Sequence, residues 1–207
     1  MFEDPVEDTR CVLHCEMKNE GFKTASKVQY VARVGNFIDN GADYTGALQI
    51  LKVILSYDYL WQNIRVKGGA YGCMSGFSRT GEGYFVSYRD PNLERTMEVY
   101  EGIADYLRNF TVSDRDMNKY IIGTMSNIDQ PMTPSAKGDR SFNLYMNKVS
   151  AETIKKERLQ ILEAGQEDIR KLAGVVEAVM KAEHVCVIGS EEKIEEAKDM
   201  FKNVTTF

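Results

Sequence analysis

Between Lys27 and Gly35 the chain alternates: Val28, Tyr30, Ala32 and Val34 interleave with Gln29, Val31 and Arg33. This is the period of a sheet strand with one buried face. After a polar loop, Ile38–Thr45, the period changes. From about Gly46 to Ile64, the residues Ala47, Ile50, Ile54, Tyr57, Trp61 and Ile64 follow helical spacing, and Leu48, Leu51, Leu55 and Tyr59 add a second stripe. A helix apolar over so much of its girth belongs inside a protein, and Lys52 and Asp58 exclude a membrane span.

Gly68 and Gly69 end that helix. A hairpin follows, with one strand from Ala70 to Phe77, a turn through 78–83, and a second strand with Tyr84, Val86 and Tyr88 on one face. Asp90 and Pro91 read as the N-cap and first residue of the next helix, whose inward stripe is Leu93, Met97, Tyr100, Ala104 and Leu107. A further helix starts at Ser113 and carries Met117, Ile121, Thr124 and Ile128, with Asp114 and Asp116 suited to its first turn. The segment IDQPMTPSAKGDRS holds two of the four prolines and reads as a loop. The tail is helical from Ser150 to near Gly165 and again through Ile169, Leu172, Val176 and Val179. A strand, HVCVIGS, then precedes a helix capped by Ser190, and the chain closes on Val204 to Phe207.

Hairpin-linked strands beside a run of helices predict an α+β fold: one antiparallel or mixed sheet with helices packed on one face. No repeat or low-complexity linker divides the chain, so 27–207 is expected to form a single domain behind an N-terminal edge segment, 1–26.

Composition narrows the function classes. The chain has 207 residues, enough for a substantial core, and a net charge of −5 with no basic cluster, which argues against nucleic acid as a partner. Four scattered cysteines do not make a disulfide framework, so a reducing compartment is expected. The acidic N-terminus lacks the features of a secretory or transit leader, and no uncharged apolar run approaches the ~20 residues that span a bilayer. A cytoplasmic protein without a membrane partner is the expectation, with an organelle lumen open if a leader lies upstream.

Most familiar chemistry is missing. His14 and His184 are the two histidines, and no paired-histidine zinc motif occurs. Cys11, His14 and Cys15 could supply soft ligands, but their spacing matches no common metal site, so no metal ligand is assigned. There is no Walker sequence and no Gly-x-Ser-x-Gly elbow. Ser190 precedes Glu191 and Glu192, which would repel a phosphate at that helix start.

What remains is NIRVKGGAYG, residues 63–72. One reading is a glycine turn between a buried helix and a hairpin, with Arg65 and Lys67 as solvated partners of the helix end. The other places the Arg65 guanidinium and the Tyr71 phenol as two donors converging on a carbonyl that is gaining negative charge. Such donors need a nucleophile from elsewhere.

NIRVKGGAYG, with GYFVSYRDPNLERTMEVYEG, IIGTMSNIDQP and PSAKGDR, closely resembles the C-terminal domain of presequence proteases and falcilysin-like enzymes, zinc metallopeptidases of the pitrilysin and insulinase superfamily. The resemblance runs from about Lys27 to the C-terminus and is densest from Leu60 to Leu93. It implies an enzyme of four related α+β domains paired into two halves around a peptide-sized chamber. Zinc would be held by an inverted HxxEH motif and a distal glutamate in the first domain, and unstructured peptides would be the substrate. In this sequence the implied catalytic donors are Arg65 and Tyr71, with Lys67, Gly68 and Gly69 as substrate-binding candidates. No HxxEH motif occurs here, so no cofactor is expected on this chain, and zinc is expected on a missing N-terminal half that would be its partner. Arg89 reads as a strand residue, and Cys73 is assigned no function. The alternative is a non-catalytic scaffold or chamber-wall domain of the same superfamily; the presence of both Arg65 and Tyr71 favours the enzyme. A nucleotide-binding module built on GGAYG has little support.

Overall fold

The computed structural model describes residues 19–207. Cys11, His14 and Cys15 lie outside them. Among the described residues six strands form one sheet: β1 (Glu20–Thr24), β2 (Gln29–Asn36), β3 (Gly72–Phe77), β4 (Glu82–Asp90), β5 (His184–Ser190) and β6 (Asn203–Thr206). They lie in the order β3-β4-β2-β5-β1-β6. Antiparallel pairing links β3, β4, β2 and β5, while β1 is parallel to both β5 and β6. The fold is therefore α+β with a mixed sheet. The segment 1–26 contributes β1, which sits between β5 and β6.

The alternation in β2 is as read, but the buried set is Gln29, Val31 and Gly35, whereas Tyr30 and Val34 are exposed. The same holds along the sheet. Phe85 and Ser87 point into the core, while Tyr84, Met74 and Ile188 lie open to solvent. Helices crowd the inner face so closely that small residues are required there. A Cβ on Gly35 would lie 2.1 Å from the Val179 carbonyl oxygen, in α8 (Ala173–Met180). The outer face keeps large apolar groups in water.

The buried helix begins as α1 (Ala47–Ile54) and continues through two π-wound stretches, Leu55–Tyr59 and Trp61–Val66. There the backbone bonds span five residues: Leu60 N–H donates to the Leu55 carbonyl, and Lys67 N–H to that of Gln62. The wider winding moves the buried stripe from Leu55 to Leu60 and then Ile64, and turns Tyr57 and Trp61 outward. Constant helical spacing had placed Tyr57 and Trp61 on the inner stripe.

Beyond the hairpin come α2 (Glu94–Glu101), α3 (Ile103–Arg108) and α4 (Asp114–Ile128). The stripe Leu93, Met97, Tyr100, Ala104 and Leu107 is buried, and Ser113 caps α4 by accepting from the Asp116 N–H. The helix after Pro91 does not start at Asp90, however. It starts at Glu94, because the Asp90 side chain is drawn into the core. The IDQPMTPSAKGDRS segment is likewise mostly helix: α5 (Pro134–Met146) opens with Pro134 at its first position, and Thr133 caps it by accepting from Ala136 N–H at 3.2 Å. Proline fits a first helical position, where no N–H is needed. Ser150 caps α6 (Ala151–Leu162), and α7 (Gln166–Lys171), α8 and α9 (Glu191–Glu196) complete the helices. Among the described residues no helix is long and apolar enough to cross a membrane.

The close approach of β2 to α8 predicts that Gly35→Ala lowers the unfolding free energy by about 1–3 kcal/mol through overpacking. Urea denaturation of the chain with and without the substitution measures it, and an unchanged midpoint would mean that α8 can move away from the sheet.

Candidate functional site

The wide end of the buried helix carries the candidate residues. Its last turn closes with Gly69 N–H donating to the Arg65 carbonyl at 2.9 Å and Ala70 N–H to that of Ile64 at 3.1 Å. Gly69 has φ +80°, the left-handed conformation that favours glycine at a helix C-terminus. Gly68 is demanded by space instead, since a Cβ there would meet the Ile64 carbonyl oxygen at 2.4 Å. The pair is thus a structural turn, and that turn sets the spacing between Arg65 and Tyr71.

A second anchor holds the turn from below. Asp90 is fully buried, accepts from Thr96 Oγ1 at 2.7 Å and from Asn92 N–H at 2.9 Å, and so fixes Asn92. Asn92 Nδ2 then donates to the Gly68 carbonyl at 2.6 Å, and an Arg95 guanidinium N–H donates to that of Lys67 at 3.2 Å. The Thr96–Asp90 bond is buried, and leaving either group without its partner would cost about 1–3 kcal/mol, which makes the base of the turn firm.

Above this base the side chains cluster around Tyr71, which is 58% exposed. The Arg65 guanidinium carbon lies 4.2 Å from the centre of the Trp61 ring and 5.9 Å from that of Tyr71. Cation–π contact of this kind contributes about 0.5–1 kcal/mol at an exposed position, enough to bias the rotamer. The Tyr88 ring lies 5.4 Å from Tyr71. The two residues that the sequence singled out, Arg65 and Tyr71, are therefore brought together. Lys67 is exposed and turns back to Asn63 Oδ1 at 3.4 Å.

Two side chains at this place were not singled out. Trp61 was counted as core and instead carries Arg65. Arg89 was read as an ordinary strand residue, yet its φ is +49° and its guanidinium carbon lies 5.5 Å from the Tyr71 ring centre. Its carbonyl also accepts the Tyr71 N–H at 3.3 Å. The cause is a bulge: Gln29 pairs with Asp90 and Val31 with Ser87, so two residues of β4, Tyr88 and Arg89, oppose Tyr30 alone. Bulges re-aim side chains. Left-handed backbone in a residue with a side chain costs about 1–3 kcal/mol. A signal was present in the sequence, since strict alternation through Phe85 and Ser87 would bury Arg89 and expose Asp90.

Cys73 follows the site in β3. Burial pushes its thiol up to about 11, with Asp90 adding to the rise and Arg65 opposing it. A thiol so placed stays protonated at neutral pH and is a poor nucleophile. Among the described residues no group of three or more His, Cys, Asp and Glu side chains could hold a metal ion, so they do not fit zinc. An open apolar groove of about 380 Å³ on the outer sheet face, lined by Tyr30, Met74, Val86, Tyr88 and Ile188, reaches the cluster through Tyr88. A larger cavity of about 780 Å³ lies by α5 and α6, where Arg79 pairs with Glu157 and Arg158 with Asp129. Arg79 and Arg158 there are thus matched by carboxylates, and Arg140 and Lys148 also line the cavity.

Residues 19–192 match the family described as the PreP C-terminal domain. Protein HypA of Clostridium perfringens (strain 13 / Type A) is 48% identical over 187 residues, which cover 90% of this chain and 19% of that protein. Presequence protease 1, chloroplastic/mitochondrial, of Arabidopsis thaliana is 32% identical over 188 residues, covering 90% of this chain and 17% of that protein. Among solved structures, pitrilysin shares the fold with a TM-score of 0.60 at 13% identity, over 92% of this chain and 22% of that one. The chain thus spans 19% and 17% of the length of these two curated relatives.

The burial of Cys73 predicts slow alkylation. With its thiol at about 11, roughly one molecule in a thousand carries the thiolate at pH 8. Iodoacetamide labelling of the Cys73 peptide, followed by mass spectrometry, is expected to rise about tenfold per pH unit towards pH ~11. Rapid labelling at pH 7 would show that Arg65 outweighs burial.

Proposed function

The chain belongs to the PreP C-terminal domain family, and from that premise we propose that it is the substrate-positioning domain of a zinc endopeptidase that degrades unstructured peptides. In this reading residues 27–207 act as one domain together with β1. The observation that carries it is the pairing of two exposed hydrogen-bond donors across one rigid turn, the Arg65 guanidinium and the Tyr71 hydroxyl, with the guanidinium carbon 5.9 Å from the phenol ring.

The chemistry follows from charge. When a peptide carbonyl is attacked, its carbon becomes tetrahedral and negative charge gathers on its oxygen. Donors already aimed at that position stabilise the charged state more than the neutral carbonyl, and so lower the barrier. Arg65 lies against the Trp61 ring and beside Tyr71, on a turn whose Gly68 and Lys67 carbonyls are held by Asn92 and Arg95, and this placement supports the pair as preorganised donors. The zinc that the resemblance implies belongs in this reading to a separate N-terminal half, on the same polypeptide or another. The open apolar sheet face then lines the space between the halves. Lys67, Gly68 and Gly69 have a lesser part: the glycines set the turn, and Lys67 stands at its rim. The small number of cysteines supports the cytosol as the compartment.

The test uses the assembled peptidase, this chain with its zinc-bearing half. Arg65→Ala and Tyr71→Phe are each expected to lower kcat by about a hundred- to a thousandfold, the usual effect of removing one such donor, with the bound zinc unchanged by elemental analysis. Wild-type turnover in either variant would sink this reading and leave a scaffold or chamber-wall domain.

A further inference from the structure

The Tyr71 cluster has more positive charge than two donors to one carbonyl require. Arg65 and Arg89 both lie within 6 Å of one phenol ring, and among the described residues neither forms an ion pair. Lys67 lies two residues beyond Arg65. The carboxylate nearest in sequence, Asp90, is buried and already accepts from Thr96 and Asn92. Exposed like charges gathered without a counter-ion attract an anion, and an arginine fork is the side chain best shaped to take a carboxylate.

Arg89 is in this place only because of the bulge. Phe85, Ser87 and Asp90 are buried, so the extra residue shifts the inward phase by one position and turns Arg89 outward beside Tyr88. The backbone accepts a left-handed conformation at a residue other than glycine to do so. Burial of Asp90 alone does not explain an arginine there. Glycine would make the same bulge with less strain.

We propose that Arg89 is a specificity-determining residue that binds a carboxylate of the peptide, an acidic side chain or the chain's own C-terminus, on a residue next to the bond held by Arg65 and Tyr71. This rests on the positioning role proposed above for that pair. In this division Arg65 serves the reacting carbonyl and Arg89, beside the same ring, selects the neighbouring residue.

The test compares matched peptides in the assembled peptidase. Each pair differs by Asp against Asn at one position beside the cleaved bond, and a further pair has a free or an amidated C-terminus. Arg89→Gly removes the guanidinium and suits the positive φ; Arg89→Lys keeps the charge without the fork. With Arg89→Gly, kcat/KM for the acidic member of one pair is expected to fall about tenfold or more, while its neutral partner changes less than about threefold. Arg89→Lys should recover part of the difference. The position of the affected pair identifies which carboxylate is bound. Equal losses for acidic and neutral peptides, or no loss for either, would overturn the proposal, the first by making Arg89 a positioning residue for Tyr71. Thermal unfolding of Arg89→Gly is expected at or above the wild-type temperature, which excludes misfolding as the cause. Arg65→Ala is run alongside: normal turnover there refutes the underlying role of the pair, whereas loss there with unaltered selectivity in Arg89→Gly refutes only this inference.

Discussion

The buried carboxylate of Asp90 is the constraint from which the site is built. A carboxylate taken out of water must find partners, and this one finds the Thr96 hydroxyl and the Asn92 backbone. Placing it inward at the end of β4 requires one extra residue in the strand, and that residue, Arg89, is turned outward as a result. The same anchor orders Asn92, which grips the glycine turn through the Gly68 carbonyl. Arg65, Tyr71 and Arg89 therefore stand on one framework although they come from a helix end, the residue before one strand and the end of another.

The two faces of the sheet are built differently. Its inner face is packed so tightly against helices that Gly35 almost touches the backbone of α8. Its outer face bears Tyr30, Val34, Met74, Tyr84 and Ile188 in solvent. Tyr30, Met74 and Ile188 line one open apolar groove on that face. The groove on this face reaches the side-chain cluster at Tyr88, whose ring lies against that of Tyr71.

The π winding before the turn has a matching effect. A helix of ordinary pitch would send Trp61 into the core. The wider turns bury Leu60 and Ile64 and release Trp61 to the surface, where it supports Arg65. A local departure from regular structure again converts a core position into a site position, a use to which π-wound segments are frequently put.

Much of this was legible in the sequence. The period-two strands, the buried helix and the stripe from Leu93 to Leu107 follow from hydrophobic spacing, because burial rewards that spacing wherever the element packs. The motif NIRVKGGAYG brought Arg65 and Tyr71 forward, since the glycines mark a turn and a guanidinium and a phenol are hydrogen-bond donors of the kind an anionic oxygen accepts from. Four things were decided only in the folded molecule. Which face of the sheet is buried depended on how closely α8 approaches, and alternation is the same on either face. The helical role of Pro134 and the inward turn of Asp90 depended on competing local bonds, the Thr133 cap in one case and Thr96 and Asn92 in the other. The place of Arg89 depended on a bulge whose cause, a buried carboxylate, lies one residue further along. Sequence determines which elements form and which chemical groups are present. Tertiary packing decides the phase of each element, because a one-residue shift costs little locally and is settled only by what lies on the other side.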